Sequence, residues 1–271
     1  MTTLPIVPLA LATLLSVHGY RKKSLSPSGA AAAFVVGLLM MSGGTIVFGV
    51  ALIGFYLTGS RATKYGKKRK AQLEDGFHEA GYRTGWQVMC NSAAAFVAAF
   101  VWNVLFFPSG PQGMLAGLLN VNVAGALGLR KGSIPTYDSK TWCPTDGAVA
   151  DGWSRALLHF ACCLGDTLAS ELGILSRSQP RLITTFRPVP PGTNGAMSVG
   201  GTIASVVGGL IVGALVGGTL VLENAACGVG VLVETVGWGM AAGGIGSLVS
   251  DTTITGMESD TDTKYYDAVI D

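Results

Sequence analysis

The chain has 271 residues, of which 49% are hydrophobic and 13% charged, and its formal net charge is +2. A soluble domain carries about 25% charged residues and uses them to cover its surface, so this composition excludes an ordinary water-soluble fold. The hydrophobic content also excludes a disordered chain. We therefore predict an all-α, polytopic transmembrane helical bundle with about six or seven membrane segments.

The first predicted segments precede the basic part of the chain. The apolar run Leu4–Val17 is followed by three basic residues at 21–23, an order that suits an anchor with a cytoplasmic C-terminal end rather than a signal peptide. Residues 24–60 carry no charge, which is long for one span of about 20 residues and short for two. The Ser42-Gly43-Gly44 break suggests a broken or re-entrant pair of helices, and a simple kink is the alternative.

Five further apolar runs follow, and small residues dominate the last two, so we expect those two helices to approach each other closely. The predicted segments are Val88–Phe107, Met114–Leu129, Ala156–Leu175, Ala196–Leu222 and Ala225–Val249.

Charge and cysteine patterns set the expected topology and compartment. Residues 61–83 contain seven Lys or Arg, so the positive-inside rule places a loop at 61–85 in the cytoplasm. We expect one membrane domain over 1–250 and an acidic, flexible tail over 251–271. The five cysteines contain no C-x-x-C pair, so we expect buried free thiols rather than zinc ligands or a disulfide framework. No plastid transit peptide is visible, and we expect an endomembrane such as the endoplasmic reticulum.

Acidic residues inside an apolar helix are the strongest candidates for chemistry, because charge within a span is costly. In "HFACCLGDTLASELG", His159, Cys163, Asp166 and Ser170 share one helical face. Asp166 and Glu171 lie about 140° apart around a helix and converge only if the helix bends or ends. Asp166 could hold Mg²⁺ while Glu171 orients a loop. The alternative is a polar stripe that neighbouring helices satisfy.

Two basic regions are candidates for binding phosphate. Arg181 and Arg187 flank a short apolar stretch, and the Gly-rich turn after them could open a helix whose free N–H groups bind an anion; an ordinary turn with a helix cap is the alternative. The 61–85 loop could grip nucleotide phosphates, or it could only follow the topology rule and contact anionic lipid. The phosphate-binding candidates are Lys67, Lys68, Arg69, Gly192, Thr193, Asn194 and Gly195. No G-x-x-x-x-G-K-[ST] motif occurs, which excludes a P-loop.

Four stretches carry a family resemblance: "YRKKSLSPSGA", "LTGSRATKYGKKRKAQLED", "GDTLASELGILSRSQPRLITT" and "GTNGAMSVGG". They resemble the integral membrane family of transmembrane protein nineteen, which includes the plant phytyl-phosphate kinase of tocopherol synthesis. The resemblance implies a multi-span helical bundle. For the plant members it implies transfer of a phosphoryl group from a nucleoside triphosphate, preferably CTP, to a prenyl monophosphate.

The resemblance also assigns roles. Asp166, Glu171, Arg181 and Arg187 become candidate catalytic residues, and Asp251 joins the two acids as a candidate Mg²⁺ ligand. The expected partners are the bilayer, a prenyl-phosphate lipid and a nucleoside triphosphate, with no nucleic acid. A multi-span transporter or a non-enzymatic membrane protein is the alternative.

Two consequences follow from this assignment. If the segments around residues 166, 181 and 194 all meet cytosolic nucleotide, at least one of the segments 24–60 and 112–129 must be broken or re-entrant. The sequence also departs from the family pattern, with Gly165 and Leu168 in the acidic motif and "AGYR" where the family has G-G-Q-R. After Asp251 the chain turns acidic, and we expect the family's last membrane element to be lost or replaced.

Overall fold

A computed structural model describes residues 5–73, 82–129, 134–145, 150–191, 193 and 195–248, with no side-chain description at 150–153. Regular structure in these residues is almost entirely helical. The exception is one antiparallel pair, β1 (Arg181–Leu182) with β2 (Ala196–Met197). The all-α prediction is confirmed.

The described residues contain ten helices. They are α1 (Ile6–Arg21), α2 (Pro27–Met41), α3 (Val47–Lys64), α4 (Lys67–Leu73), α5 (Gly85–Phe106), α6 (Pro111–Leu118), α7 (Val123–Ala126), α8 (Ala150–Gly173), α9 (Val199–Glu223) and α10 (Gly230–Leu248).

The uncharged segment 24–60 forms α2 and most of α3, and these two helices point in opposite directions. The amide of Gly85 donates to Oγ of Ser28 at 3.2 Å, which places the start of α2 beside the start of α5. The amide of Gly44, in the break, donates to Oδ1 of Asn103 at 2.8 Å, near the end of α5. The chain therefore reverses at 42–46. The prediction of a broken segment is confirmed, and a simple kink is wrong.

The predicted span Met114–Leu129 is wrong. Only the short helices α6 and α7 form there, because two asparagines interrupt the apolar run. Asn120 has a φ of 53°, a left-handed conformation that asparagine tolerates better than most residues. Oδ1 of Asn122 accepts from the amide of Gly125 at 3.0 Å and caps α7.

The helices α9 and α10, which are rich in small residues, pack backbone to backbone as predicted, and α8 joins them, which was not predicted. A Cβ placed on Gly165 of α8 would lie 2.7 Å from Cα of Gly243 in α10. Oγ of Ser205 in α9 donates to the carbonyl of Gly243 at 2.9 Å. Helices in a membrane associate through close packing of this kind, because the surrounding lipid is apolar and the hydrophobic effect does not favour contact between helices.

Membrane-spanning character is clearest in α5, α9 and α10, which within the described chain are the helices long and apolar enough to cross a bilayer; α1 and α2 are shorter apolar helices. Large apolar side chains on their outer surfaces are exposed, including Val97, Ile203 and Val233. Lipid is the environment in which such surfaces are stable.

The bundle has two distinct ends. The basic face is the end where α1, α3 and α8 finish and where α4 lies. Nζ of Lys70 in α4 donates there to the carbonyl of Ala62 in α3 at 2.9 Å and to Glu171 in α8. The opposite face is the end where α5 and α9 finish: the amide of Tyr137 donates to the carbonyl of Phe106 at 2.8 Å.

The opposite face carries a disulfide, which corrects the prediction of free thiols for two of the five cysteines. Cys143 and Cys227 are bonded across 84 residues of sequence, with Cα atoms 5.0 Å apart. The hydroxyl of Tyr137 donates to Oδ1 of Asn224 beside this bond. Burial, with a smaller effect of the charge on Glu223, raises the pKa of Tyr137 to about 12. The pairing joins the loop after α7 to the loop after α9.

Candidate functional site

A buried ion pair organises the basic face. The side chain of Lys70 is 1% exposed, and its Nζ lies 2.6 Å from Oε2 of Glu171. A buried ammonium group is stable only when it is paired and hydrogen-bonded. The pair with Glu171 and the bond to the Ala62 carbonyl meet this requirement, and they fix α4 against α3 and α8. The sequence had pointed to the three preceding basic residues and not to Lys70.

The predicted polar face of α8 is present. Oγ of Ser170 donates to the carbonyl of Asp166 at 2.9 Å, and Sγ of Cys163 lies 3.7 Å from Nε2 of His159. Nε2 of His159 also lies 3.1 Å from the carbonyl of Asn91 in α5. Part of this stripe is therefore satisfied by a neighbouring helix, as in the alternative reading.

The two acids of α8 have different surroundings. The helix continues without interruption through Gly173, so the bend that would bring Asp166 and Glu171 together is absent. Glu171 contacts Lys70 of α4. Asp166 is half-buried and lies earlier on the same helix. One metal ion held by both carboxylates is not supported by this geometry. Their separate roles stay predictions.

A Mg²⁺ site would therefore use few protein ligands. Among the described residues, no group of three or more His, Cys, Asp or Glu side chains could hold a metal ion. Mg²⁺ in nucleotide-dependent enzymes is bound by one or two carboxylates together with substrate phosphates, and Asp166 fits that arrangement. Glu171 is already neutralised by Lys70, and Asp251 lies outside the described residues.

A polar cleft of about 540 Å³ opens on the basic face beside α4. Small-molecule sites typically measure ~300–1,000 Å³. Two arginines supply its positive charge, Arg69 from α4 and Arg177 from the loop after α8. The other lining residues are Ser176, Ser178, Gln179, Pro180, Pro188, Val189, Pro190 and Pro191. Arg69 was predicted from the basic cluster. Arg177 was missed, although it lies in a quoted motif.

The predicted arginines Arg181 and Arg187, which lie in and after β1, do not line the cleft. The guanidinium of Arg181 donates through Nη1 to the carbonyl of Phe186 at 3.0 Å, within the β1 turn. Arg187 is exposed beyond that turn, and the side chains of Lys67 and Lys68 are half-buried and exposed, respectively. All four residues remain available to interact with an anion near the cleft, but none of them lines it.

The Gly-rich turn does not open a helix. Oγ1 of Thr193 donates to the carbonyl of Pro190 at 2.8 Å, and Gly195 has a φ of 69°. The strand β2 then separates this turn from α9, whose N-cap is Ser198. The expectation of a helix N-terminus at this turn is wrong because the chain first pairs with β1. Gly192 and Asn194 lie outside the described residues.

Arg83 is a further residue to which the sequence assigned no role. Its amide donates to the carbonyl of Ser24 at 3.1 Å, and its carbonyl accepts from the amide of Ser26 at 2.9 Å. Among the described residues the guanidinium has no hydrogen-bond partner. Burial lowers the pKa of Arg83, while interactions with Tyr56 and Glu171 oppose that shift. Arg83 is thus a half-buried cation close to the acidic end of α8.

Comparisons with known proteins give a matching family and several related membrane proteins. The family described as integral membrane protein DUF92 matches residues 10–255. Protein PGR of Arabidopsis thaliana is 33% identical over 208 residues, which cover 77% of this chain and 62% of that protein. An uncharacterized membrane protein of Synechocystis is 27% identical over 194 residues, or 72% and 60%.

A further relative is Protein VTE6, chloroplastic, of Arabidopsis thaliana, which is 27% identical over 207 residues covering 75% of this chain and 51% of that protein. This chain thus spans about half to three fifths of the length of these three relatives. No solved structure matches the chain.

Proposed function

Because the chain belongs to the integral membrane protein DUF92 family, we propose that it is a membrane-embedded prenyl-phosphate kinase. It transfers a phosphoryl group from a nucleoside triphosphate, with CTP as the preferred donor, to an isoprenoid monophosphate. The family includes the plant phytyl-phosphate kinase. The observation that carries the proposal is the polar cleft with Arg69 and Arg177 on the basic face, beside the acidic end of α8.

The proposed reaction requires charge and positioning rather than a strong base. The acceptor is a phosphate monoester whose second pKa is about 6, so it is largely ionised at neutral pH. An oxygen of this phosphate attacks the γ-phosphorus, the bond to the β–γ bridging oxygen breaks, and the nucleoside diphosphate leaves with that electron pair. Two anions must approach each other, and catalysis of this kind depends on neutralisation and in-line alignment.

The residues of the basic face suit those requirements. Arg69 and Arg177 line the cleft and would bind nucleotide phosphates, and Lys67, Lys68, Arg181 and Arg187 add positive charge around it. Glu171 is a positioning residue in this scheme, because its bond to Lys70 fixes the helix that carries Arg69. Asp166 would hold Mg²⁺ that arrives with the nucleotide, and the ion would neutralise phosphate charge.

The test is direct. The purified full chain in lipid nanodiscs is incubated with labelled CTP, Mg²⁺ and prenyl monophosphates of different length. We expect a prenyl diphosphate product. Arg177→Ala should raise the KM for CTP by about tenfold or more, because hydrogen bonds to charged groups contribute about 1.5–3 kcal/mol.

The matched control is Arg21→Ala, which removes an exposed arginine on the same face but outside the cleft. Its KM for CTP should stay within twofold of the parent value. Equal effects of the two substitutions would remove the cleft from the proposal. Absence of phosphorylation of every prenyl monophosphate would overturn the kinase proposal and favour the transporter alternative.

A further inference from the structure

An apolar cavity of about 80 Å³ lies between α1, α2, α3 and α5, inside the membrane domain. Its walls are mostly aliphatic and aromatic, and they include Leu15, Val36, Leu52 and Phe55. The lining residues of α2 run from Ala33 to Met41, which corresponds to about 12 Å along the helix. Several of the lining side chains are only half-buried, so the cavity reaches the surface of the bundle.

The cavity has a cationic end. Arg83 lines it where α2 begins, next to Leu25 and Tyr56. The hydroxyl of Tyr56 lies 3.4 Å from Oγ of Ser24, the residue whose carbonyl accepts from the Arg83 amide. The backbone of Arg83 is therefore held on both sides of Leu25, while its guanidinium stays without a hydrogen-bond partner among the described residues. A half-buried guanidinium in this state is suited to bind an anion.

Arg83 also lies close to the proposed reaction site. A Cβ placed on Gly59 of α3 would lie 3.5 Å from Nη2 of Arg83 and 3.7 Å from Cγ2 of Thr167 in α8. The Gly59 position is thus within van der Waals distance of both residues, so the guanidinium lies where α3 faces α8. Thr167 follows Asp166 directly in sequence. An anion bound by Arg83 would lie beside the helix that carries the candidate metal ligand.

We propose that this cavity binds the lipid acceptor, with the monophosphate on Arg83 and the first part of the hydrocarbon tail between α1, α2, α3 and α5. The cavity of about 80 Å³ has about half the volume of one that holds a benzene ring, so the rest of the tail extends through its open side into the bilayer. The occupant is a single-chain lipid monophosphate, because the walls are apolar and Arg83, the cationic group among the described lining residues, lies at the end nearest the basic face. This inference rests on the proposed function for the isoprenoid nature of the tail. The cavity and its charge are independent of that function.

The test measures lipid binding without nucleotide. The full chain in nanodiscs is titrated by calorimetry with a C20 prenyl monophosphate and with the corresponding prenyl alcohol. Arg83→Gln should weaken binding of the monophosphate by about tenfold or more and leave binding of the alcohol within twofold. Arg83→Lys keeps the charge and should restore most of the affinity for the monophosphate.

A second pair of variants tests the tail site. Ala33→Phe fills the cavity and should weaken binding of the C20 monophosphate and of a C10 monophosphate alike, because only the first part of each tail lies inside the cavity. Ala31→Phe adds the same group two positions away on the same helix, at an exposed residue that does not line the cavity, and should leave both affinities unchanged. Thermal unfolding of each variant identifies any loss of fold, and the two phenylalanine variants keep the test decisive if Arg83→Gln does not fold.

The outcomes separate this inference from the kinase proposal. If binding depends on Arg83 and Ala33 but no phosphoryl transfer occurs, the kinase proposal is wrong and the lipid site stands. If transfer occurs and its KM for the lipid is unchanged in Arg83→Gln and Ala33→Phe, the lipid site is wrong and the kinase proposal stands. Equal loss of monophosphate and alcohol binding in Arg83→Gln would also overturn the role of Arg83.

Discussion

Replacement of Glu171 by glutamine tests the ion pair that fixes the basic face. The substitution keeps the shape of the side chain but removes the negative charge that lies 2.6 Å from Nζ of Lys70. The ammonium group is 1% exposed and would then be a buried cation without an ionic partner. Its remaining hydrogen bond is to the carbonyl of Ala62.

The expected cost follows from how deeply each partner is buried. Loss of one partner of a fully buried pair costs about 3–5 kcal/mol. The Glu171 side chain is 23% exposed, so water reaches its end of the pair, and the glutamine oxygen can still accept from Lys70. We therefore expect Glu171→Gln to lower the free energy of unfolding by about 2 kcal/mol. In a chain of this size that lowers Tm by about 4–8 °C.

A double-mutant cycle separates a structural role of Glu171 from a metal-binding role. Lys70→Met removes the buried cation, so Lys70→Met with Glu171→Gln should be more stable than the sum of the single effects by about 1–2 kcal/mol. Stability is measured by thermal unfolding in detergent, and phosphoryl transfer is measured as a function of Mg²⁺ concentration. If Glu171 is a positioning residue, the dependence of phosphoryl transfer on Mg²⁺ concentration should be the same in all three variants as in the parent protein. Additive stabilities, or a Glu171→Gln protein as stable as the parent, would refute the reasoning.

Three further predictions concern packing, topology and the metal ligand. Gly209→Ala places a Cβ against the carbonyl of Gly239 in α10 and should lower the free energy of unfolding by about 1–3 kcal/mol. Gly218→Ala places a Cβ with no atom within 4 Å and should leave the free energy of unfolding unchanged. Equal effects of the two substitutions on thermal unfolding would contradict the close packing. In Cys227→Ser, the freed Cys143 should react with a membrane-impermeant maleimide only from the side opposite the 61–85 loop, and cytoplasmic labelling would reverse the topology. Asp166→Asn should abolish nucleotide-dependent phosphorylation with Tm unchanged, and near-normal turnover would move the metal elsewhere.

The sequence predicts the membrane helices because their apolar runs are long and their ends are marked. Predicted spans at Val88–Phe107 and Ala196–Leu222 correspond to α5 and α9 within a few residues at each end. The break at Ser42-Gly43-Gly44 was also predicted, because glycines interrupt a run too long for one helix, but the sequence left a simple kink as the alternative to a reversal. The same reasoning gave a wrong span at Met114–Leu129, because mean hydropathy does not include the local hydrogen bonds that asparagine side chains form with the backbone.

Contacts between distant parts of the chain were beyond sequence reasoning. Cys143 and Cys227 are 84 residues apart, and only the folded bundle brings their loops together. Lys70 is one of four consecutive basic residues, and the packing of α4 on α8 alone decides which of the four is buried. Arg83 ends the quoted "AGYR" stretch, but no role could be assigned to it from the sequence, because its position at the end of the cavity follows from the fold.

The proposed kinase needs one substrate from the bilayer and one from water, and the two proposed sites share a carboxylate. Arg83, at the end of the lipid cavity, interacts electrostatically with Glu171, and Glu171 binds Lys70, which follows the cleft residue Arg69 on α4. A change at Glu171 therefore disturbs both sites, because it alters the charge beside Arg83 and the position of α4. Changes at Arg83 or Arg177 act on one site each. Glu171→Gln should thus raise the KM values for both substrates together, whereas a shift in only one of them would show that the two sites are not coupled through this residue.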